Sequence, residues 1–346
     1  MKSPNRKRPA WAPGILLLIA LVLARPGLGQ TPDRAAAWTD PTPHRVLRVS
    51  IAPQVQLEVL DWGGSGEPLV FLAGGGNTAH IYDGFAPRFA GRFHVLGITR
   101  RGFGASSHPP SGYDTTTLVH DILTVLDTLG VGRASFVGHS FGGSELNYLG
   151  AHYPRRVHRL VYLDSAYEAH ALFNSPEWKS GQLYGLPQPP TPVYDDDTGS
   201  AWTWTLWAER LSGPGYPEAE VRATVEFDSQ DRFVASTSVD SWLKRFEQGT
   251  ERVDLTRIRS PALAIYAAPG SPEVLCPWWQ ALDPTSRARC QKRFIAINRA
   301  LSRLHRDFQE KVPNARAVTI PGARHYVFLT DPGEVTHAML EFFLTS

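Results

Sequence analysis

The chain has 346 residues, 42% of them hydrophobic and 20% charged. That composition excludes the polar, charge-rich profile of a disordered chain, and the length supports one large domain or two modest ones. Lys and Arg number 35 against 33 Asp and Glu, but five of the bases (Lys2, Arg6, Lys7, Arg8 and Arg25) lie in the first 29 residues, leaving 30 against 33. The remainder is close to neutral, which excludes a chain-wide basic surface for nucleic acid.

In chain order, the first predicted element is a leader. Lys2, Arg6, Lys7 and Arg8 precede the 11-residue apolar run "GILLLIALVLA" at 14–24, and the small residues Gly27 and Gly29 follow it. Basic, apolar and small segments in that order predict a secretory signal peptide over 1–29. The apolar run is short of the roughly 20 residues that span a bilayer. No stable membrane insertion is therefore expected after cleavage, and the protein is predicted to be secreted or periplasmic. There is no adjacent Arg pair and no cysteine near the cut, which argues against twin-arginine export and lipid anchoring. A Pro- and Ala-rich flexible arm follows over 30–44.

The stretch "RVLRVSIAPQVQLEVLDWG" at 45–63 alternates apolar and polar residues around Pro53, the pattern of a β-hairpin. "PLVFLAGGGN" is a continuous apolar run ending in glycines, which fits a buried strand running into a tight loop. Helix-like and strand-like segments then alternate. A helix at 79–89 precedes the strand "FHVLGIT", one at 115–129 precedes "ASFVG", and one at 141–152 precedes "RLVYLD". Such alternation predicts βαβ units and a mostly parallel sheet flanked by helices.

The rhythm stops over 165–252, which is rich in Pro, Gly and aromatics, including Trp178, Trp202, Trp204, Trp207 and Trp242, with an acidic run at 195–197 read as a solvated loop. It resumes at "PALAIYAA", a long helix over 286–311, the strand "ARAVTI" and a helix over 332–343. The expected organisation is a core of 45–164 and 253–346, with a largely helical cap over 165–252 inserted after the sixth strand. Cys276 and Cys290 are the only cysteines. In an exported protein an even pair this close in sequence is expected to form one disulfide, the alternative being two unrelated buried thiols. Two cysteines without regularly spaced histidines predict no zinc site, and no cofactor is implied.

The chemistry concentrates at "FVGHSFGG", where Gly138, Ser140 and Gly142 form G-x-S-x-G between a predicted strand and a predicted helix. That context is the one in which a serine becomes an exposed nucleophile on a sharp turn. Serine then needs a base, a group that orients the base, and donors for an oxyanion. Of the 12 histidines, His325 in "PGARHYVF" follows the last predicted strand and precedes the last helix. His139 reads as structural, and so do Arg100 and Arg101 in "RRGFGASS".

Taken together, the early glycine loop "LAGGGN", "RRGFGASS", the elbow "GHSFGG", the cap and the late histidine resemble the α/β-hydrolase superfamily over nearly all of 45–346. The resemblance implies an α/β-hydrolase fold and a secreted, cap-bearing serine hydrolase with Ser140 as nucleophile and His325 as base. It implies Asp164 or Glu273 as the acid, because Gly270 stands about where the family most often places an aspartate. Asp164, at a strand tip, is preferred to Glu273 in a Pro- and Gly-rich loop. The implied oxyanion donors are the amides of Gly75 and Phe141, although Ala73-Gly74 replaces the His-Gly of many members. A carboxylic ester of a small, apolar substrate is the expected target, with an amide, a lactone or a carbon–carbon bond beside a ketone as alternatives. A serine at the elbow argues against the relatives that use aspartate there, haloalkane dehalogenases and epoxide hydrolases. The reading from another class is a binding protein that keeps the fold without the chemistry.

Overall fold

The computed structural model describes residues 38–179, 200–239 and 241–345. The predicted signal peptide, most of the arm and the acidic run at 195–197 lie outside the described residues.

The strands are β1 (Arg45–Ala52), β2 (Val55–Gly63), β3 (Glu67–Leu72), β4 (Phe93–Ile98), β5 (Ala134–His139), β6 (Val157–Leu163), β7 (Val225–Phe227), β8 (Phe233–Ser236), β9 (Ala262–Ala268) and β10 (Ala315–Pro321). Eight of them form one sheet in the order β1-β2-β4-β3-β5-β6-β9-β10. The hairpin β1–β2 is antiparallel and joins β4 antiparallel; from β4 to β10 every pairing is parallel. The expected α/β class with a mostly parallel sheet is what forms.

Alternation along each strand divides the core. Leu69, Phe71, Val137, Val161 and Leu163 face one apolar cluster, while Val70, Leu72, Phe136, Leu160 and Tyr162 face the other. Each face of a parallel sheet is thus buried, which is why these strands read as unbroken apolar runs.

The helices are α1 (Thr115–Thr128), α2 (Gly142–His152), α3 (Ala169–Phe173), α4 (Pro176–Lys179), α5 (Ala201–Ser212), α6 (Glu218–Thr224), α7 (Trp242–Gly249), α8 (Pro284–Lys311), α9 (Val327–Thr330) and α10 (Pro332–Leu344). Asp114 caps α1 by accepting from the Thr117 amide, and Asp283 caps α8 by accepting from Thr285 and Ser286, each satisfying N–H groups the helix leaves open. The buried residues of α8, Cys290, Arg293, Ala296, Ala300, Leu304 and Phe308, recur every three or four positions and form one inward stripe. The helix expected over 79–89 is instead two short 3-10 helices, Ala79–Tyr82 and Ala86–Phe89. Gly84 and Pro87 interrupt it, since one weakens helical backbone and the other removes a donor.

Among the described residues, the inserted segment between β6 and β9 contains α3 to α7 together with the small antiparallel pair β7–β8. Cys276 and Cys290 face each other with Cα atoms 6.5 Å apart and sulfurs at bonding distance. No helix among the described residues is long and apolar enough to cross a membrane.

Candidate active site

The C-terminal ends of β5, β6 and β10 supply three polar side chains to one cavity. Ser140 follows β5 directly and has φ 51°, a left-handed conformation that non-glycine residues rarely adopt. The turn is held by Ser140 N donating to Leu163 O at 3.3 Å and Gly143 N donating to Ser140 O at 2.9 Å. Tight packing explains the flanking glycines: a Cβ on Gly142 would lie 2.6 Å from Leu72 O, so no larger residue fits where α2 meets β3.

Asp164 follows β6, also with positive φ, 48°. Its N–H donates to Ile265 O at 2.7 Å, and its Oδ1 accepts from Ala267 N at 2.9 Å, so the carboxylate is held between two strands and buried. Its Oδ2 lies 2.7 Å from His325 Nδ1. His325 sits in the loop between β10 and α9. The structure therefore brings Asp164 to the imidazole, whereas Glu273 is exposed and, among the described residues, receives only a 3.4 Å hydrogen bond from Ser271. The β9 tip that carries the acid in many relatives here runs into Pro269 and Gly270.

His139, read from sequence as structural, has a more specific place than packing. Its Nε2 donates to the backbone carbonyl of His325 at 3.1 Å, and the two rings are 4.5 Å apart. Burial holds its pKa well below the ordinary value, so it stays neutral and positions the loop. His305, also on the cavity wall, is stacked on Tyr266 and pushed down to about 4 by burial.

The loop Ala73–Asn77 lies against the serine, since a Cβ on Gly74 would meet Ser140 Cβ at 3.3 Å. Gly75 and Phe141 both line the cavity, and neither backbone N–H donates to any group among the described residues. A Cβ on Gly75 would come within 2.3 Å of the Phe141 ring and 2.6 Å of Trp242, so glycine is required for this approach.

Two buried networks fix that loop. Arg100 donates to Gly74 O at 3.1 Å and Ala73 O at 2.5 Å while pairing with Glu145 of α2 at 2.5 and 2.6 Å. One guanidinium thus ties the loop to the helix that starts after the serine. Arg101 pairs instead with Asp121 of α1, so both arginines have the structural roles expected of them. On the other side Asn77 donates to Glu220 at 2.9 Å and to Tyr216 at 3.2 Å, and accepts from Tyr326 at 2.9 Å. Glu220, in α6 of the cap, also accepts from the amide and hydroxyl of Thr78. Sequence pattern offers no signal for Glu220, an acid in a short helix whose partners are over 140 positions away.

The cavity encloses about 1080 Å³, bounded by Ser140, His325, Phe173, Trp178, Trp204 and Trp242 among others. Its wall is mainly apolar, and Ser140, Asp164 and His325 are among its polar groups, the general form of a small-molecule site.

A family model describing the α/β hydrolase fold matches residues 67–332. The 2-(acetamidomethylene)succinate hydrolase of Mesorhizobium japonicum is 32% identical over 101 residues, 29% of this chain and 36% of that protein. The soluble epoxide hydrolase of a Corynebacterium species is 34% identical over 101 residues, 29% of this chain and 35% of that protein. The chain thus spans little more than a third of the length of these curated relatives. Among solved structures, E-2-(acetamidomethylene)succinate hydrolase superposes with a TM-score of 0.60 at 20% identity, covering 87% of this chain and 99% of that one. The carboxylesterase CesB of Bacillus subtilis superposes with a TM-score of 0.57 at 18% identity, covering 88% and 93%; at such identities the likeness is one of fold. With the matched family model spanning residues 67–332, most of the chain, and a mostly parallel eight-stranded sheet in the structure, this chain belongs to the α/β-hydrolase fold family.

Proposed function

We propose that the protein is an exported serine hydrolase that cleaves a carboxylic ester, or a related acyl bond, of a small apolar substrate. The observation that carries this reading is the meeting of a strained serine turn and a 2.7 Å Asp164–His325 contact on one cavity. In the proposed cycle Ser140 attacks the carbonyl carbon and His325 takes its proton. Asp164 holds the imidazole in the tautomer that leaves Nε2 free to accept, and the Gly75 and Phe141 amides receive the oxyanion. His325 then protonates the leaving group, and water repeats the sequence on the acyl-enzyme.

Serine at the elbow favours acyl transfer over the chemistry named for the epoxide hydrolase relative. The mainly apolar wall favours an apolar acyl or aryl group. Export rests on the basic, apolar and small segments of 1–29, and it accords with a Cys276–Cys290 bond, which oxidising compartments preserve. The contact between Asp164 and His325 weighs against a non-catalytic binding protein, because that reading drew only on the missing acid after β9.

The test is labelling with a fluorophosphonate probe, followed by a series of nitrophenyl esters of increasing acyl length. Labelling lost in Ser140→Ala supports the reading. Folded wild type that takes no label would sink it.

A further inference from the structure

A second constellation lies outside the serine site. Asp40 and His44 precede β1, while His80 and Asp83 lie on and just after the short helix Ala79–Tyr82 that leaves the Gly75 loop. One nitrogen or oxygen from each of these four side chains falls within 4.8 Å of all the others. Asp83 Oδ2 is 2.9 Å from His80 Nδ1, and Asp83 Oδ1 is 3.3 Å from His44 Nδ1. Asp40 Oδ2 is 3.5 Å from His80 Nδ1 and 3.8 Å from His44 Nε2. A tetrahedral ion with bonds of about 2.0–2.1 Å has ligand–ligand edges of about 3.3 Å; with one atom taken from each side chain the four ligand atoms already lie within 4.8 Å of one another, so a modest contraction about an ion closes the set.

His44 supplies an independent observation. Its side chain is 4% exposed, and its Nδ1 is buried with no hydrogen-bond partner. Asp83 Oδ1 lies beside that nitrogen but out of hydrogen-bonding alignment. An orphaned buried nitrogen costs free energy unless something accepts its lone pair. The carboxylates around it are already oriented: Trp62 Nε1 donates to Asp83 Oδ1 at 2.9 Å, and the Thr42 amide donates to Asp40 Oδ1 at 2.8 Å. Glu58 Oε1 stands 4.0 Å from His80 Nε2, placing a carboxylate near the second nitrogen of a ligating histidine, as metal sites commonly do.

We propose that Asp40, His44, His80 and Asp83 form a structural site for a divalent transition cation of the zinc class. Two carboxylates and two neutral imidazoles carry two negative charges, which such an ion balances within a mostly buried pocket. The mixed nitrogen and oxygen set disfavours calcium and magnesium, which take oxygen ligands in larger or octahedral shells. Four protein ligands close the coordination, so the ion is structural and leaves no position for substrate. It ties the segment before β1 to the helix that follows the Gly75 loop. The sequence hides the site because the two pairs, Asp-x3-His and His-x2-Asp, are separated by the whole β1–β3 region.

The experiment uses tag-free protein stripped with a chelator, then titrated with zinc sulfate by calorimetry and with cobalt chloride by visible absorption. One equivalent of zinc bound with submicromolar affinity, together with the intense absorption of tetrahedral cobalt, is expected. His44→Ala, whose fold is checked by circular dichroism, should weaken zinc binding by about 100-fold or more, since loss of even an outer-shell partner weakens binding by about 10–100-fold. Negligible uptake by the wild type overturns the proposal. So does uptake that is unchanged in both His44→Ala and His80→Ala, which would put the ion elsewhere.

Discussion

Thr78 gives both its backbone N–H and its hydroxyl to the carboxylate of Glu220, at 3.0 and 2.5 Å. This contact makes the cap a support for the loop beside the serine, and it has a consequence for pH. Burial, partly offset by the donors on Thr78 and Asn77, pushes the Glu220 carboxyl up from 4.5 to about 7. The folded protein therefore keeps a proton that the unfolded chain releases at lower pH. The associated stability is fully present below about 4.5 and declines as pH rises to about 7, by a total on the order of 3 kcal/mol. Glu220→Gln removes this dependence. Thermal unfolding at intervals from pH 4.5 to 8 should show wild type losing ground steadily to the variant, and a constant difference across that range would refute the assignment.

Much of this molecule is legible in its sequence, and the polar networks around the site that are not share one cause. Unbroken apolar runs mark β3, β5, β6 and β9 because both faces of the sheet are buried, and the glycines at 138 and 142 mark the elbow because α2 packs against β3 there. Asp164 follows the tip of β6 and His325 lies in the loop after β10, and the strand order brings both to one edge of the sheet. Long-range polar contacts leave no such trace. Glu220 reaches Asn77 and Thr78 across 143 and 142 positions, and Arg100 reaches Glu145 across 45. Nothing in their local sequence distinguishes them from solvated charges. The single helix expected over 79–89 failed for a local reason, with Gly84 and Pro87 outweighing the apolar spacing around them.

The choice of acid has a direct test. Asp164 Oδ2 is 2.7 Å from His325 Nδ1, whereas Glu273 is exposed and contacts Ser271. Asp164→Asn should lower kcat by about 10⁴-fold, because an amide no longer holds the imidazole in the required tautomer. Glu273→Gln should leave the rate unchanged. Ester kinetics on both variants check this, and the reverse ranking would transfer the role to Glu273.

Arg100 and Glu145 separate stability from catalysis. Both are buried, and removing one partner leaves the other charge uncompensated. Arg100→Met should therefore destabilise the protein by about 3–5 kcal/mol in urea unfolding. Replacing both by Met removes the stranded charge and should restore most of that stability. The carbonyls of Ala73 and Gly74 would still lack their shared donor. The double variant is thus expected to fold well yet remain slow, and full recovery of kcat would show that Arg100 does not position the loop.

Gly75 allows the sharpest test of the oxyanion donors, because its substitution leaves the proposed triad intact. A methyl group there would sit 2.3 Å from the Phe141 ring and 2.6 Å from Trp242. Phe141 is itself packed against Phe173, Phe246 and Trp242, so the ring has little room to withdraw. The loop must move instead and carry its amide away from the position above Ser140. Gly75→Ala should lower kcat by about 10²–10³, the usual cost of one oxyanion donor. Ground-state binding depends mostly on the apolar wall, so KM should change little. Fluorophosphonate labelling should slow in parallel with kcat, since phosphonylation also develops charge on that oxygen. A variant that hydrolyses esters at the wild-type rate would remove Gly75 from the oxyanion site and leave Phe141 to be paired with a different donor.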